Sequence, residues 1–306
     1  MLPIIDKQTR LLVIAPHPDD ETISAGGLLQ QVRDAGGDIR IWLLTDGDNN
    51  PWPQRWLERR VWIGAEGRRR WGMRRRREVV GALRTLGLAP EQLEGFSWPD
   101  MGLTRQLKTD HEAMLDLLGA RLRAWRPNTV VLPDLGDHHP DHGVAHVLLR
   151  LALAREGLAP CLLTYLVHGG ALAGAGDVLA LSPGQQATKR EAMESHTSQT
   201  ALSGARMRQL VERPEVFTVL PGHWAAQGRQ LPWQPASWLH PWLRLTVADG
   251  SGVRSWRWGD APMLEDEARP TLRPEACAGP GPRFAKLHMD IPSPWIFDVW
   301  GWCELA

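Results

Sequence analysis

The sequence predicts an α/β protein, with a Rossmann-like, mostly parallel sheet flanked by helices and a small β-rich addition at its C-terminal end. Three observations lead there. Through about residue 170, short apolar runs of strand length alternate with longer stretches of helical periodicity, the pattern of successive βαβ units. The runs "RLLVIA", "IRIWLLT" and "TVVLPD" have the length and continuity of buried strands. Beyond about residue 230 the pattern changes to short alternating runs broken by turn signals such as "ADGSG". The 306 residues are enough for one or two domains. The expected division is a catalytic α/β region over 1–236 and a β-rich extension over 237–306, packed on the core.

The elements follow in order. "RLLVIA" (10–15) is the first strand, and Ile23, Leu28, Leu29 and Val32 then form a helical stripe that ends near Gly36-Gly37. "IRIWLLT" (39–45) is the second strand. Residues 46–72 carry mixed signals and read as a long excursion. A helix is expected from about Arg74 to Leu86, closed by Gly87, and "LEGFSW" is a candidate strand. "HEAMLDLLGARLRAW" (111–125) is amphipathic and ends before Pro127. "TVVLPD" (129–134) is the third buried strand, "GVAHVLLRLALAR" (143–155) the helix after its loop, and "CLLTYLVH" (161–168) a further strand. Residues 260–283 show little periodicity, while "PWIFDVWGWCEL" at the end is strand-like.

Composition narrows the function. Lys+Arg and Asp+Glu are equal at 35 each, so no global basic field attracts nucleic acid. "MLPIIDKQTR" has no basic segment leading into an apolar one, so no signal peptide is expected. No apolar run reaches the length of about 18 residues that a membrane-spanning helix needs. The three cysteines, Cys161, Cys277 and Cys303, are scattered and odd in number. They fit a reducing cytoplasm and neither a disulfide framework nor a cysteine-type zinc site.

Two stretches carry chemistry. "APHPDDET" (15–22) crowds His17, Asp19, Asp20 and Glu21 at the end of the first strand, and "LGDHHPDHGVAH" (135–146) follows the third buried one. In an open α/β sheet, ligands bind beyond the carboxyl ends of the strands, so both stretches fall on one sheet edge. A catalytic zinc site needs neutral imidazoles and a carboxylate and keeps a position open for water. His17, Asp20 and one histidine of the second stretch make such a set. Taken singly, each part has a plainer reading. The three acids suit the first turn of a helix, and "HHPDH" suits a polar loop. His142 and His146, four apart, suit a metal pair on one helical face, although His146 within "GVAHVLL" reads better as a core or supporting residue.

"PHPDDE" with a later "HPDH" resembles the PIG-L/LmbE family of zinc-dependent de-N-acetylases. "LLTDGD" (43–48), "RRREVVGALRTLGL" (75–88, with Arg75 and Glu78 in the matching places), "WPDMGL" (98–103) and "KREAMESHTSQ" (189–199) also look like family segments. The resemblance covers roughly residues 8–225. Pro16 stands where the family typically has alanine. The resemblance implies one Zn2+ per chain, held by His17, Asp20 and His142. It also implies Asp19 as general base, His139 facing the developing oxyanion and the leaving amine, and Asp141 orienting His139.

Two compositional features add expectations about substrate. "RRRWGMRRRR" (68–77) holds seven Arg in ten residues. Arg68 and its neighbours read as a clamp for an anionic substrate part or as solvated surface, with a contact to anionic lipid at a membrane surface as a third use. Trp52, Trp56, Trp62 and Trp71 lie in the polar excursion, and some of them, Trp52 and Trp56 foremost, are expected to line a sugar cleft; Arg75 is a further candidate contact. The resulting reading is a cytoplasmic, zinc-dependent N-deacetylase of an N-acetylated amino sugar or its conjugate, without nucleic-acid partners. An amidase removing a larger acyl group and a non-catalytic, metal-containing carbohydrate-binding protein are the alternatives. A dinucleotide-binding oxidoreductase fails, because the first βα turn has no G-x-G-x-x-G.

Overall fold

The computed structural model describes residues 1–169, 176–221, 228–264, 269–289 and 297–305. The chain divides into two compact units, each assembled from separate stretches. One holds Met1–Gly102, Pro127–Pro133 and Pro160–Leu220, and the other holds Leu103–Arg126, Asp134–Ala159 and Pro221–Ala306.

The first unit is built on strands β1 (Arg10–Ala15), β2 (Asp38–Thr45), β3 (Leu93–Trp98), β4 (Thr129–Pro133), β5 (Cys161–Tyr165), β6 (Asp177–Leu179) and β7 (Glu215–Leu220). They form one sheet in the order β3-β2-β1-β4-β5-β7-β6. The strands from β3 through β5 run parallel, while β7 is antiparallel to β5 and β6. Leu11, Leu12 and Val13 of β1 are fully buried, as expected of a central parallel strand covered on both faces, which is why its run shows no polar alternation. The order of strands reverses between β1 and β4, which pair with Leu12 opposite Val130. The chain therefore leaves both strands on one sheet edge, at the topological switch point where ligands bind in open α/β sheets.

Among the described residues this unit holds the α-helices α1 (Asp20–Asp34), α2 (Pro51–Glu58), α3 (Ala65–Thr85), α6 (Pro183–Glu194) and α7 (Thr197–Glu212). Ile23, Leu28, Leu29 and Val32 of α1 bury the expected stripe together with Val79, Ala82 and Leu83 of α3. The excursion expected over 46–72 is instead α2 and the first two turns of α3. Arg is a good helix former, but a run of it shows no apolar periodicity, so α3 begins nine residues before its stripe does. Asn50 caps α2 by accepting from the Trp52 N–H.

The second unit contains α4 (Leu103–Trp125), α5 (Pro140–Arg155) and a four-stranded antiparallel sheet. Its strands are β8 (Leu243–Asp249), β9 (Gly252–Arg257), β10 (Phe284–Met289) and β11 (Gly301–Glu304), in the order β11-β10-β8-β9. Leu243, Leu245, Val247, Ala285 and Leu287 form its core with Leu272 and Trp258. "ADGSG" is the β8–β9 turn, closed by the buried Asp249 carboxylate, which accepts the Ser251 N–H at 2.8 Å. The expected final strand is confined to Gly301–Glu304, and residues 294–296 of that stretch lie outside the described residues. α4 starts eight residues before the amphipathic stretch and kinks at Asp110 (φ −128°), where the two pieces join. α5 starts at Pro140 rather than Gly143, with His139 as its cap, so Asp141 and His142 lie in its first turn.

Candidate active site

In the first unit, β1 runs into the turn 16–19 and directly into α1. Asp20 folds back on the turn. Its Oδ2 accepts the His17 N–H at 2.8 Å and lies 3.4 Å from His17 Nδ1. The other ring nitrogen of His17 is 3.4 Å from Asp100 Oδ1. Both carboxylates and the ring are buried. Burial works to raise Asp100, yet its contact with His17 and the Asn49 N–H together hold it below the usual carboxylate range. Asp20 and the half-buried His168, at the end of the β5 segment, offer ligand atoms within 4.8 Å of each other.

Asp19 is treated differently by the fold. It stands at the helix cap with φ 124°, a positive value that a non-glycine residue rarely adopts and that costs of order 1–3 kcal/mol. Two contacts hold it there. Its N–H donates to Glu21 Oε2 at 3.0 Å, and its Oδ2 lies 3.3 Å from Arg75 Nη2. Burial pushes the Asp19 carboxyl up to about 6, with Asp20 and Glu21 pushing the same way against the Arg75 guanidinium. Arg75 is buried and donates to Gly47 O at 2.7 Å and Pro18 O at 2.6 Å. Gly47 (φ +61°) admits it, because a Cβ there would sit 1.8 Å from Arg75 Nη1. Glu21 in turn meets the buried His196 ring, at 3.3 Å from Nε2. Glu78 does not pair with Arg75; it binds Arg74 at 3.1 Å, and the Ser198 N–H at 3.0 Å.

In the second unit, the turn after β4 is braced through its backbone. Asp137 Oδ1 accepts the His139 N–H at 2.9 Å, while its Oδ2 lies 3.1 Å from His142 Nδ1. A carboxylate placed in this way against Nδ1 of the fully buried His142 is the arrangement that orients metal-binding imidazoles. His139 Nδ1 accepts the Asp141 N–H at 3.3 Å, so the neutral ring carries its proton on Nε2. The Asp141 carboxylate accepts the Leu103 N–H at 3.2 Å. His139 and His142 offer ring nitrogens within 4.8 Å of each other. His146 is buried away from them, beside Arg150 (3.3 Å) and the Phe284 ring.

The expected substrate residues divide. Trp52 and Trp56 are each 66% exposed, and Trp62 is 85% exposed, whereas Trp71 is a core residue. The Arg55 guanidinium lies 5.0 Å over the Trp52 ring. Arg68 donates to Asn49 Oδ1 at 3.1 Å, and the Asn49 N–H donates to Asp100 at 2.7 Å, a chain that leads to His17. Beside it, a polar cavity of about 410 Å³ is lined by Asp46, Asp48, Arg69, Arg76 and Ser97. Sequence reasoning missed Asp100, Asp137, His168 and His196. Asp137 sits within "GDHHPDH" and Asp100 within "WPDMGL", but nothing in the spacing marks either as a partner of a histidine. His168 closes an apolar strand, and His196 is joined to Glu21 only by the fold.

Fold and site define a Rossmann-like α/β domain with histidine- and aspartate-rich turns after β1 and β4. A PIG-L family model, described as GlcNAc-PI de-N-acetylase, matches residues 12–153. Both turns fall inside that stretch and the C-terminal sheet falls outside it. A 1D-myo-inositol 2-acetamido-2-deoxy-alpha-D-glucopyranoside deacetylase of Mycobacterium sp. (strain KMS) is 32% identical over 158 residues, 48% of this chain and 50% of that protein. A similarly named deacetylase of Catenulispora acidiphila is 30% identical over 159 residues, 48% of this chain and 45% of that protein. The chain thus spans about half the length of the curated relatives it matches. Among solved structures, N,N'-diacetylchitobiose deacetylase from Pyrococcus horikoshii shares the fold with a TM-score of 0.53 at 21% identity, covering 70% of this chain and 84% of that one. The conserved protein TT1542 from Thermus thermophilus aligns with a TM-score of 0.50 at 25% identity, over 75% and 100% of the two chains.

Proposed function

We propose that this chain is a zinc-dependent hydrolase that removes the N-acetyl group from an N-acetylated amino sugar or its conjugate. The observation that carries the reading is the division of labour between adjacent carboxylates: Asp20 turns onto His17, while Asp19 is held apart at a strained φ of 124° with its carboxyl raised to about 6. A helix-capping cluster has no need for that division, and neither has a carbohydrate-binding protein with a purely structural metal.

The donor set fits zinc. His17 with Asp20, and His142 with its Nδ1 against Asp137, supply nitrogen and carboxylate oxygen from buried positions. In this proposal His17, Asp20 and His142 hold one ion. Bound there, zinc would lower the pKa of a water it holds to about 7 and polarise the acyl carbonyl. Asp19 takes a proton from the attacking water as its oxygen bonds to the carbonyl carbon, and a raised pKa suits a base working near neutrality. His139, with its proton on Nε2, donates a hydrogen bond to the developing oxyanion, and the proton that Asp19 took from the water passes to the nitrogen as the C–N bond breaks, leaving the free amine and acetate. The Asp141 N–H keeps that tautomer in place. Arg75 steadies Asp19 rather than touching substrate. Arg68, Trp52 and Trp56 are assigned to the distal part of the conjugate. The relatives named as deacetylases of a 2-acetamido-2-deoxy-glucopyranoside support an N-acetylglucosamine-type substrate. The division into a catalytic region 1–236 and an extension 237–306 belongs to the same proposal. So does a cytoplasmic location, supported by three cysteines outside any disulfide. No helix among the described residues is long and apolar enough to cross a membrane.

One observation favours the amidase alternative. A cavity of about 530 Å³ in the first unit is lined by Ile23 and Ser24, one turn along α1 from Asp20, and by Tyr165, Leu166, Leu210 and Val216. It is apolar enough for an acyl chain longer than acetyl. The deciding experiment offers the zinc-loaded protein N-acetyl and N-octanoyl forms of glucosaminyl-inositol, glucosamine and chitobiose, and measures free amine and bound zinc. Amine release that depends on zinc is expected; a zinc-loaded protein that releases none from any of them refutes the reading.

A further inference from the structure

The C-terminal sheet meets the turn that carries His139 and His142, and does so within the second unit. The contacts come from residues beyond the family-matched stretch 12–153. The Asp298 N–H donates to His138 O at 2.8 Å, immediately before His139. The Asp298 carboxylate is itself fixed by Lys286 of β10, at 2.5 Å from Nζ. Lys286 is a buried lysine, 2% exposed. Isolated burial of an ammonium is costly unless it is paired, so this one is committed to Asp298 and to the Trp302 ring, 5.9 Å beneath Nζ. On the far side of the same turn, Trp302 of β11 packs against Gly143, where a Cβ would lie 2.5 Å from Trp302 Cδ1. Between these two anchors the Phe297 ring stands edge-on to the His139 ring, with centroids 6.3 Å apart and planes at 78°. Arg150 of α5 closes the frame by binding Glu304 of β11 at 2.7 Å.

We propose that Phe297 and Asp298, held by Lys286, are positioning residues for His139. The Asp298–His138 hydrogen bond fixes the height of the turn, and the Phe297 edge limits rotation of the imidazole. His139 Nδ1 thereby stays on the Asp141 N–H, and Nε2–H keeps one direction. Lys286 acts through Asp298, and none of these residues is assigned contact with substrate. The inference rests on the reading of His139 given under Proposed function, and adds to it where His139 gets its orientation.

The test combines kinetics with a measurement that needs no substrate. Phe297 is 41% exposed, so Phe297→Leu leaves the fold intact; Lys286→Met and Lys286→Arg complete the set. For Phe297→Leu and Lys286→Met, kcat is expected to fall on the order of tenfold to a hundredfold, the scale of a misplaced reacting group. KM and bound zinc should stay at wild-type values, and Lys286→Arg should recover most of the loss. In a His139→Ala background neither change should lower kcat further, since there is no ring left to orient. In parallel, long-range 1H–15N NMR of histidine-labelled protein should show His139 as the Nε2–H tautomer in the wild type and as a tautomer mixture in both variants. Equal kcat losses with and without His139, or an unchanged tautomer in Phe297→Leu and Lys286→Met, would overturn the proposal. Failure of the wild type to hydrolyse any acyl amino sugar would sink the enzymatic reading instead, and the NMR result would still decide whether these residues position the ring.

Discussion

The turns after β1 and β4 look alike in sequence, both short, proline-containing and rich in histidine and aspartate, yet they are held by different physics. The turn after β1 is held by charge. Asp19, Asp20, Glu21 and Asp100 are crowded into a buried space and balanced by Arg75 and by the rings of His17 and His196. The turn after β4 is held by backbone hydrogen bonds to Asp137, Asp141 and His139, and by packing from β10 and β11. A charge-held site stores repulsion that a cation can relieve, because unpaired like charges in low dielectric are costly. A backbone-held site stores none, and suits a group whose direction matters more than its charge. The contrast separates a turn balanced by charge from a turn braced through its backbone.

The sharpest way to break the comparison is to neutralise the two carboxylates of the first turn separately. Asp19→Asn is expected to keep zinc and lose at least about two orders of magnitude in kcat, as for removal of a general base. Asp20→Asn is expected to lose zinc, since an amide is the poorer ligand. The reverse pattern, from metal analysis and turnover on the same samples, would exchange their roles. On the second turn, Asp137→Asn should weaken zinc binding about 10- to 100-fold while His146→Ala leaves it unchanged, because Asp137 lies 3.1 Å from His142 and His146 faces Phe284. Equal losses measured by metal titration would move the ligand role toward His146.

Two smaller effects sharpen the same contrast. Arg68→Gln should raise KM by a few-fold at constant kcat, with the effect fading at high salt, where exposed charges are screened within about 8 to 10 Å. Kinetics indifferent to the change would return Arg68 to its bond with Asn49 alone. The last concerns charge in the first turn directly. Burial disfavours the charged His196 ring, but the Glu21 and Asp19 carboxylates outweigh it and raise its pKa above the ordinary 6.5. A histidine whose folded value is raised stabilises the fold fully below pH 6.5, and that contribution disappears as pH rises through the folded value. Melting temperature of the metal-free protein should therefore decline as pH is taken upward from 6.5, and His196→Gln should flatten that decline. An identical slope in the variant would exclude His196 as its source.

Legibility followed the length scale of the interactions. The strands β1, β2, β4 and β5 are legible because each contains a continuous buried apolar stretch, as central parallel strands do. α3 and α4 were readable only where an apolar stripe exists: α3 starts nine residues early in arginine-rich sequence, and α4 starts eight residues early and kinks at Asp110. β6, α6, α7 and β7 were not assigned, because their amphipathic patterns are short and their partners lie far away in the chain. Trp71 shares the Arg-rich excursion with Trp52, Trp56 and Trp62, but helical phase turns it into the core.

By itself the sequence determined which residue types stand at the ends of β1 and β4, because strand ends, proline and the first turn of a helix are local events. It placed His17, Asp19, Asp20, His139, Asp141 and His142 in the two turns, and both turns lie within the stretch that matches the PIG-L family model. Tertiary structure alone decided what each of them faces. Asp19 is the raised carboxylate because burial, with Asp20 and Glu21, outweighs the Arg75 and His196 charges that the fold brings from α3 and the start of α7. His142 has Asp137 3.1 Å from its Nδ1 because the turn after β4 folds that carboxylate onto the first turn of α5. Phe297 and Lys286 matter to His139 only because antiparallel pairing returns β10 and β11 to a turn more than 140 residues earlier in the chain. Contacts of that kind depend on sheet register and burial, which a linear pattern of residue types does not encode.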